Sequence, residues 1–240
     1  RYSLLSNLDL TLSAGLSFRS PSMEERFQYI DQGSFVRIGS PDLKSEQGKS
    51  LDFGVRYYQS DVKIISSVFY NYFDNLVAEV PGTFEGRNAF IKTNIGKARL
   101  YGFEIDTEYN FYDDYLVYAS VAFVNGYDIT NDDNLPEIPP FNGMIGFRFD
   151  LIDFLKVDFN SIFTADQNKT AQGEINTPGF AYFNFYLTTE LIRLSGMGIE
   201  FSGGIENMFN KEYRNHLSTN RGFIKSEPGR NLFLKMNLNW

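Results

Sequence analysis

Three carboxylates, Glu104, Asp106 and Glu108, stand two residues apart in the sequence. In an extended strand this spacing places all three on one face. Two neighbouring carboxylates could act as a general acid and a general base. Apolar residues that alternate with them, such as Phe103 and Ile105, indicate instead a strand with one polar face and one apolar face. We interpret the three carboxylates as part of a solvated strand face and not as a catalytic pair, and we predict no catalytic residue.

The single histidine, His216, could in principle bind a metal ion. The chain has no cysteine. A thiolate metal site and a disulfide framework are therefore excluded, and one histidine alone makes a poor metal site. We interpret His216 as a solvated loop residue, with ligand contact as the alternative. Four acidic residues fit no EF-hand spacing: Asp128, Asp132, Asp133 and Glu137. We predict neither a metal site nor a cofactor.

Basic residues near His216 suggest a binding site for an anion. They are Arg214, Arg221, Lys225 and Arg230. Their charges could attract an anionic ferric chelate through charge-assisted hydrogen bonds. Contact with lipopolysaccharide phosphates and simple solvation are the alternatives. We therefore predict ligand contacts from Arg214, His216, Arg221 and Arg230 in an extracellular loop.

The elements that would position these residues are β-strands of period two. Residues 8–18 alternate apolar and polar side chains, and residues 99–111 do so again. Similar segments recur to the end of the chain, and we count about ten strands in an antiparallel meander. In residues 62–73 the two faces are harder to distinguish.

The composition indicates what these strands face. Aromatic residues make up 17% of the chain, yet mean hydropathy is only -0.29. Such a chain shows one face to an apolar medium and the other to water. No segment has the roughly 20 consecutive apolar residues of a membrane-spanning helix. The net charge of -8 also argues against a nucleic-acid partner.

The connections between strands alternate in length. Tight ones lie near residues 59–61, 112–114, 152–153 and 193–196. Long ones fall near residues 19–49, 74–97, 125–142, 165–179 and 207–229. A short-turn end and a long-loop end are typical of outer-membrane barrels, so we predict an all-β, antiparallel transmembrane β-barrel segment.

A barrel predicts where two groups of side chains lie. Aromatic residues at strand ends would form interfacial girdles, with ordinary β-propensity as the alternative: Tyr70, Tyr72, Tyr101, Tyr112 and Tyr115. Charged residues opposite the apolar face would face the lumen: Glu104, Asp106, Glu108, Arg148, Lys156, Asp158, Glu200 and Lys235.

Three motifs resemble the TonB-dependent outer-membrane receptor family. Residues 18–27 (FRSPSMEERF) and 39–46 (GSPDLKSE) are similar to its FRAPS-x-EE and GNPxLKPE segments, and residues 135–140 (LPEIPP) to its LPxIPP segment. Residues 204–214 (GIENMFNKEYR), residues 227–230 (EPGR) and a terminal strand ending in Trp240 resemble its closing signature. The motifs stand in the family's order along nearly the whole chain.

The resemblance implies an outer-membrane receptor that imports a scarce nutrient, such as a ferric siderophore, and is not an enzyme. Family members have an N-terminal plug and about 22 strands, so residues 1–240 would be the C-terminal portion of the barrel, without the plug and the earlier strands. The partners would be outer-membrane lipid, the TonB complex through the missing part, and the barrel-assembly machinery. That machinery would read an assembly signal in the last strand, formed by Leu234, Met236, Leu238 and Trp240.

Other functions remain open, among them import of haem or of another metal. Haem receptors of the family carry a histidine in the loop that here spans residues 22–40, which has none, although Tyr29 could be an axial ligand. A lipid hydrolase, an adhesin or a structural porin-like barrel is a further alternative. The chain has no Gly-x-Ser-x-Gly motif, although outer-membrane hydrolases need not use one. A secreted soluble β-sandwich would place a second protein layer over the apolar face.

Overall fold

The computed structural model describes residues 2–112, 114–194, 196–221 and 224–239. The regular structure of this part of the chain is mainly β-strand, with two short helices, α1 (Met23–Phe27) and α2 (His216–Arg221). The strands are β1 (Tyr2–Leu5), β2 (Leu8–Arg19), β3 (Tyr29–Asp31), β4 (Val36–Ile38), β5 (Glu46–Gln59), β6 (Val62–Asp74), β7 (Val77–Phe84), β8 (Arg87–Asn94), β9 (Lys97–Phe111), β10 (Tyr115–Asp128), β11 (Asp133–Asn134), β12 (Asn142–Ile152), β13 (Leu155–Thr164), β14 (Phe180–Thr189), β15 (Ile192–Leu194), β16 (Met197–Glu206) and β17 (Asn231–Asn239).

The long strands form one antiparallel sheet in the order of the chain. From β1 the sheet runs through β2, β5, β6, β9, β10, β12, β13 and β14 to β16, which also pairs with β15 and β17. The predicted meander of about ten strands is therefore confirmed. Neighbouring strands of this sheet are antiparallel and are joined alternately by a short turn and by a long loop.

The two ends of this sheet differ. At one end, tight turns follow β1, β5, β9, β12 and β15, and we call it the short-turn end. At the other, the long-loop end, loop 1 (residues 20–45), loop 2 (75–96), loop 3 (129–141), loop 4 (165–179) and loop 5 (207–230) join the strands. The alternation predicted from the sequence is confirmed.

The strand register separates an apolar face from a polar face. On β9, Phe103 is paired with Val68 of β6 and Phe123 of β10, whereas Glu104 is paired with Ser67 and Ala122. Paired residues share a face, so this register also defines the faces of β6 that the sequence left uncertain.

The apolar face is not covered by another layer of the described structure. Leu16 is 84% exposed and Leu234 80% exposed, and Phe201 is also exposed. The buried apolar cluster lies instead at the long-loop end, around Ile95, Ala98 and Leu135. The soluble-sandwich alternative, which needs a buried apolar face, therefore fails. No helix in the described ranges is long and apolar enough to cross a membrane.

Loops 1 and 2 contain a second, four-stranded sheet that was not predicted from the sequence. Its order is β3, β4, β8, β7, with β4 and β8 parallel. The β7–β8 hairpin turns at Glu85 and Gly86, both with positive φ (50° and 78°). Two consecutive residues with positive φ are the mark of a tight hairpin turn. Because glycine adopts positive φ easily, Gly86 was a sequence signal for this turn.

Candidate functional site

Ion pairs hold loops 1 and 2 together. Arg87 of β8 donates to Asp31 of β3 at 2.7 Å. Glu79 of β7 accepts from Arg37 of β4 at 2.8 Å and lies 3.2 Å from the Lys92 ammonium of β8. The hydrogen bonds from Arg87 lower the pKa of Asp31 to about 2. These contacts are charge-assisted, and they make the two loops one unit.

A second connection lies where loop 1 leaves the main sheet. Ser22 and Glu25 form a capping box at the start of α1. Arg19 donates to Glu25 at 2.8 Å and to Glu46 at 2.6 Å, and the pKa of Glu25 falls to about 2 because of the Arg19 hydrogen bond. Glu46 also accepts from the backbone N–H of Val77 at 2.8 Å. The base of loop 1 is therefore fixed to the base of loop 2.

Buried polar contacts join loops 3, 4 and 5. Glu174 accepts from the backbone N–H groups of Glu137 (2.7 Å) and Ala171 (3.0 Å). His216 Nδ1 lies 3.1 Å from Thr177 Oγ1, and its Nε2 lies 3.9 Å from Glu174. The interpretation of His216 as a solvated residue is wrong, because it is only 1% exposed. Burial lowers its pKa, and the Glu174 carboxylate opposes that shift.

Two adjoining cavities lie between loops 2, 3 and 4. The first, of about 350 Å³, is lined by Arg37, Phe90 and Lys92 on one side and by Glu137 and Glu174 on the other. The second, of about 630 Å³, is bounded by Ile95, Asp128 and Asp133 among others. Glu79 lines both. A space of this size is within the range of small-molecule sites.

The predicted ligand-binding residues do not line these cavities. Tyr29 is half-exposed on β3, against Phe84. Arg214 and Arg230 are exposed on loop 5, and no ion pair within the described structure involves either. The side chain of Arg221 lies outside what the structure describes. The structure therefore separates an exposed basic surface from the cavities. A ligand role for these residues stays a prediction.

The acidic residues of loop 3 have structural contacts. Buried Asp128 accepts from the backbone of Thr130 (2.9 Å) and Asn131 (3.0 Å) and so closes a turn. Asp132 accepts from the Tyr127 hydroxyl. Within the described ranges, no group of three or more histidine, cysteine or acidic side chains is arranged to hold a metal ion.

The residues predicted to face the lumen share the polar face. Glu108 is paired with Lys63 on β6, at 3.0 Å between the charged atoms. Arg148 donates to Asp158 at 2.8 Å, and Tyr118 donates to the same carboxylate at 2.6 Å. The other predicted residues occupy the same face by register: Glu104, Asp106, Lys156, Glu200 and Lys235. That this face borders the lumen stays a prediction.

A buried amide network joins β13, β14 and loop 5 and was not predicted from the sequence. Asn184 donates to Asn160 at 2.9 Å and accepts from the backbone N–H of Asn207 at 2.9 Å. Asn207 in turn accepts from the N–H of Lys211 at 2.7 Å. This network fixes the start of loop 5 to the polar face of β14. Asparagines at paired positions of two strands were the available signal, but their register requires the structure.

The family follows from a sequence comparison. Residues 1–208 match the family model described as TonB dependent receptor-like, beta-barrel. The chain belongs to the TonB-dependent receptor family. Members are outer-membrane β-barrel receptors and transporters of Gram-negative bacteria, not enzymes, which places this chain in the outer membrane.

Solved structures show the same fold. A copper transporter, OprC, is 23% identical with a TM-score of 0.83, over 97% of this chain and 37% of its own. The ferric enterobactin receptor PfeA of Pseudomonas aeruginosa, in a G324V variant, is 15% identical with a TM-score of 0.74, over 98% and 38%. The siderophore receptor PirA of Acinetobacter baumannii is 16% identical with a TM-score of 0.70, over 98% and 39%. This chain thus spans well under half of each. Curated proteins gave no match.

Proposed function

We propose that residues 1–240 form the C-terminal portion of the barrel of a nutrient importer, with a plug and earlier strands elsewhere in the same protein. The cargo is a ferric siderophore or a similar iron chelate, and the TonB complex supplies the energy through the part outside this chain. Support comes from the family and from two fold neighbours whose names state a ferric enterobactin receptor and a siderophore receptor.

The observation that carries a receptor role is the organisation of the long-loop end. Ion pairs join loops 1 and 2, the Glu174 and His216 contacts join loops 3, 4 and 5, and cavities lie between loops 2, 3 and 4. Ordered loops around a cavity reduce the entropy lost when a ligand binds. A barrel with only a structural role does not need this arrangement.

Charge divides this end into two regions. The cavities contain Arg37 and Lys92 but five carboxylates: Glu79, Asp128, Asp133, Glu137 and Glu174. Loop 5 carries Arg214, Lys225 and Arg230, all exposed. In this proposal loop 5 attracts an anionic chelate by charge, and the cavities contact its uncharged parts.

The remaining partners belong to the same proposal. The apolar face of the sheet contacts outer-membrane lipid, because exposed leucines and phenylalanines would be costly in water. The barrel-assembly machinery reads the last strand, where Leu234, Met236 and Leu238 share the apolar face, while Trp240 lies outside the described residues.

Uptake of a labelled chelate tests the cargo. The complete protein is expressed in a strain without its own enterobactin receptor, and uptake of ⁵⁵Fe-enterobactin is measured with and without TonB. We expect TonB-dependent uptake, reduced about tenfold in Arg214→Gln/Arg230→Gln, as for two lost exposed attractions. Uptake independent of TonB, or equal in the variant and the parent, contradicts this role.

Import of a different metal is the second candidate, because the copper transporter has the highest TM-score of the three structures. The same cells grown with limiting copper distinguish the two. TonB-dependent copper accumulation without ⁵⁵Fe-enterobactin uptake would favour the copper cargo.

A further inference from the structure

The apolar face carries a row of cations and aromatic residues near the long-loop end. Lys49 on β5 pairs with Tyr72 on β6, Tyr72 pairs with Arg99 on β9, and Arg99 pairs with Tyr127 on β10. Directly paired residues share one face, and with a strand tilt of about 40° each step to the next strand changes the height by only about 3 Å. We call this row the interfacial cation row: Lys49, Tyr72, Arg99 and Tyr127.

The row lies on the apolar face, not on the polar one. Two residues further along each strand, the same face carries Leu51, Tyr70 and Tyr101, again as direct partners. Beyond them it carries Val68 and Phe103. The cations are thus continuous with the surface that the proposed function assigns to lipid, and the inference rests on that assignment.

Its height matches a membrane interface. Arg99 and Phe111 lie on the same face at opposite ends of β9. With a rise of about 3.3 Å per residue and a strand tilt of about 40°, they are separated by roughly 30 Å along the membrane normal. That distance is close to the thickness of a hydrocarbon core. If Phe111, which stacks on Tyr115 and Phe147, marks one interface, Arg99 lies at the other.

Both cations are held by rings and remain available. The Lys49 ammonium lies 5.8 Å from the Tyr72 ring centre, and the Arg99 guanidinium lies 5.2 Å from that of Tyr127. Both side chains are exposed, and no ion pair in the described structure involves either. Cation–π contact orients a charge without neutralising it. The row therefore presents two positive charges where lipid headgroups lie.

The carboxylates nearby do not neutralise the row. Asp74 is one step closer to the loops, where its partner in the register is Lys97 and not a cation of the row. Asp132 of loop 3 accepts from the Tyr127 hydroxyl. Neither forms an ion pair with Lys49 or Arg99 in the described structure.

We propose that the interfacial cation row binds the phosphate groups of an outer-leaflet lipid, with the acyl chains of that lipid against the apolar face below. Guanidinium and ammonium groups bind phosphate through charge-assisted hydrogen bonds. Cations at a membrane surface each strengthen attraction to anionic headgroups roughly fivefold. The occupant is a phosphorylated glycolipid of the lipid A type, because the row lies at the long-loop, outward end.

The test uses the complete protein, purified in detergent and delipidated. Binding of bisphosphorylated hexa-acyl lipid A is compared with a phosphate-free analogue that has the same acyl chains, by native mass spectrometry. We expect lipid A to bind more than tenfold more tightly. Lys49→Gln/Arg99→Gln should weaken lipid A binding by roughly thirtyfold and leave the phosphate-free analogue unaffected.

Two further variants separate charge from folding. Lys49→Arg/Arg99→Lys keeps both charges and should bind within about threefold of the parent. Lys44→Gln/Lys169→Gln removes two exposed cations that lie in loops and not on the strands of the main sheet, and it should bind as the parent does. Equal binding of the two lipids, or equal loss in the loop control, overturns the proposal. A protein that stays soluble without detergent and binds neither lipid would instead refute the membrane assignment itself.

Discussion

His216 and Glu174 illustrate that polar chemistry at the long-loop end serves the loops themselves. Glu174 accepts two backbone N–H groups, and His216 is enclosed beside it and Thr177. Buried polar groups need such partners because an unpaired one costs about 1 to 3 kcal/mol. These residues therefore hold loops 3, 4 and 5 together.

The lowered pKa of His216 predicts that loop 5 loosens in acid. Its ordinary pKa is 6.5, and burial lowers it in the folded state. Since the opened loop takes up the proton more readily, its contribution to stability is present above about pH 6.5 and is lost as the pH falls below it. At pH 5.5 the loss is at most about tenfold in the opening equilibrium. Hydrogen-exchange protection factors for residues 207–221 measure it.

His216→Gln is the control for this prediction, because an amide can still contact Thr177 but does not titrate near pH 6. Its protection factors should be flat between pH 7.5 and 5.5. An equal acid dependence in the variant would assign the effect to Glu174 or another carboxylate.

Single residues were the part of the site that the sequence predicted least well. The spacing of Glu104, Asp106 and Glu108 correctly gave a shared face, since a strand has a fixed period of two. The burial of His216 depends on a contact with Thr177, 39 positions away, and no local pattern carries such information.

The strands of the main sheet could be predicted better than the sheet within the loops, again because local patterns carry no information about distant contacts. The long strands of the main sheet could be predicted, because turns bound them and alternation extends along most of them; in β6 the faces needed the register. The loop sheet was missed because β3 and β4 have only three residues each and β4 pairs in parallel with β8. Short parallel pairs depend on contacts between distant segments and leave little period to detect.

The β7–β8 hairpin predicts a local weak point in the loop sheet. Gly86 has φ +78°, a conformation that costs an L-residue about 1 kcal/mol. Gly86→Ala should therefore raise the hydrogen-exchange rates of β7 and β8 about fivefold, without changing those of β9. Gly54→Ala is the matched control, since its added methyl meets only ordinary contacts at 3.5 Å or more. Equal exchange in both variants would mean that the turn does not limit hairpin opening.

At the scale of the whole molecule, the apolar face explains why this chain has so small a core. In a soluble domain the face that carries Phe201 and Leu234 would be the main source of stability, yet both residues are exposed here. In the proposed function the face gains stability from hydrocarbon instead, and backbone groups are satisfied by the strand ladders. The apolar face could be predicted from the sequence because alternation is visible among neighbouring residues. The packing of loops 1 to 5 depends on contacts among all five loops and could not be predicted in this way.

Two adjacent positions of β9 test this membrane-facing assignment. Ile105 lies midway between Arg99 and Phe111 on the apolar face, and Glu104 lies on the polar face. An arginine near the bilayer midplane costs about 2 to 4 kcal/mol, so Ile105→Arg should sharply reduce the folded fraction in outer membranes, read as heat-modifiable mobility on gels. Glu104→Arg changes net charge by more, yet should fold like the parent. Similar folded fractions for the two variants would show that hydrocarbon does not cover the apolar face.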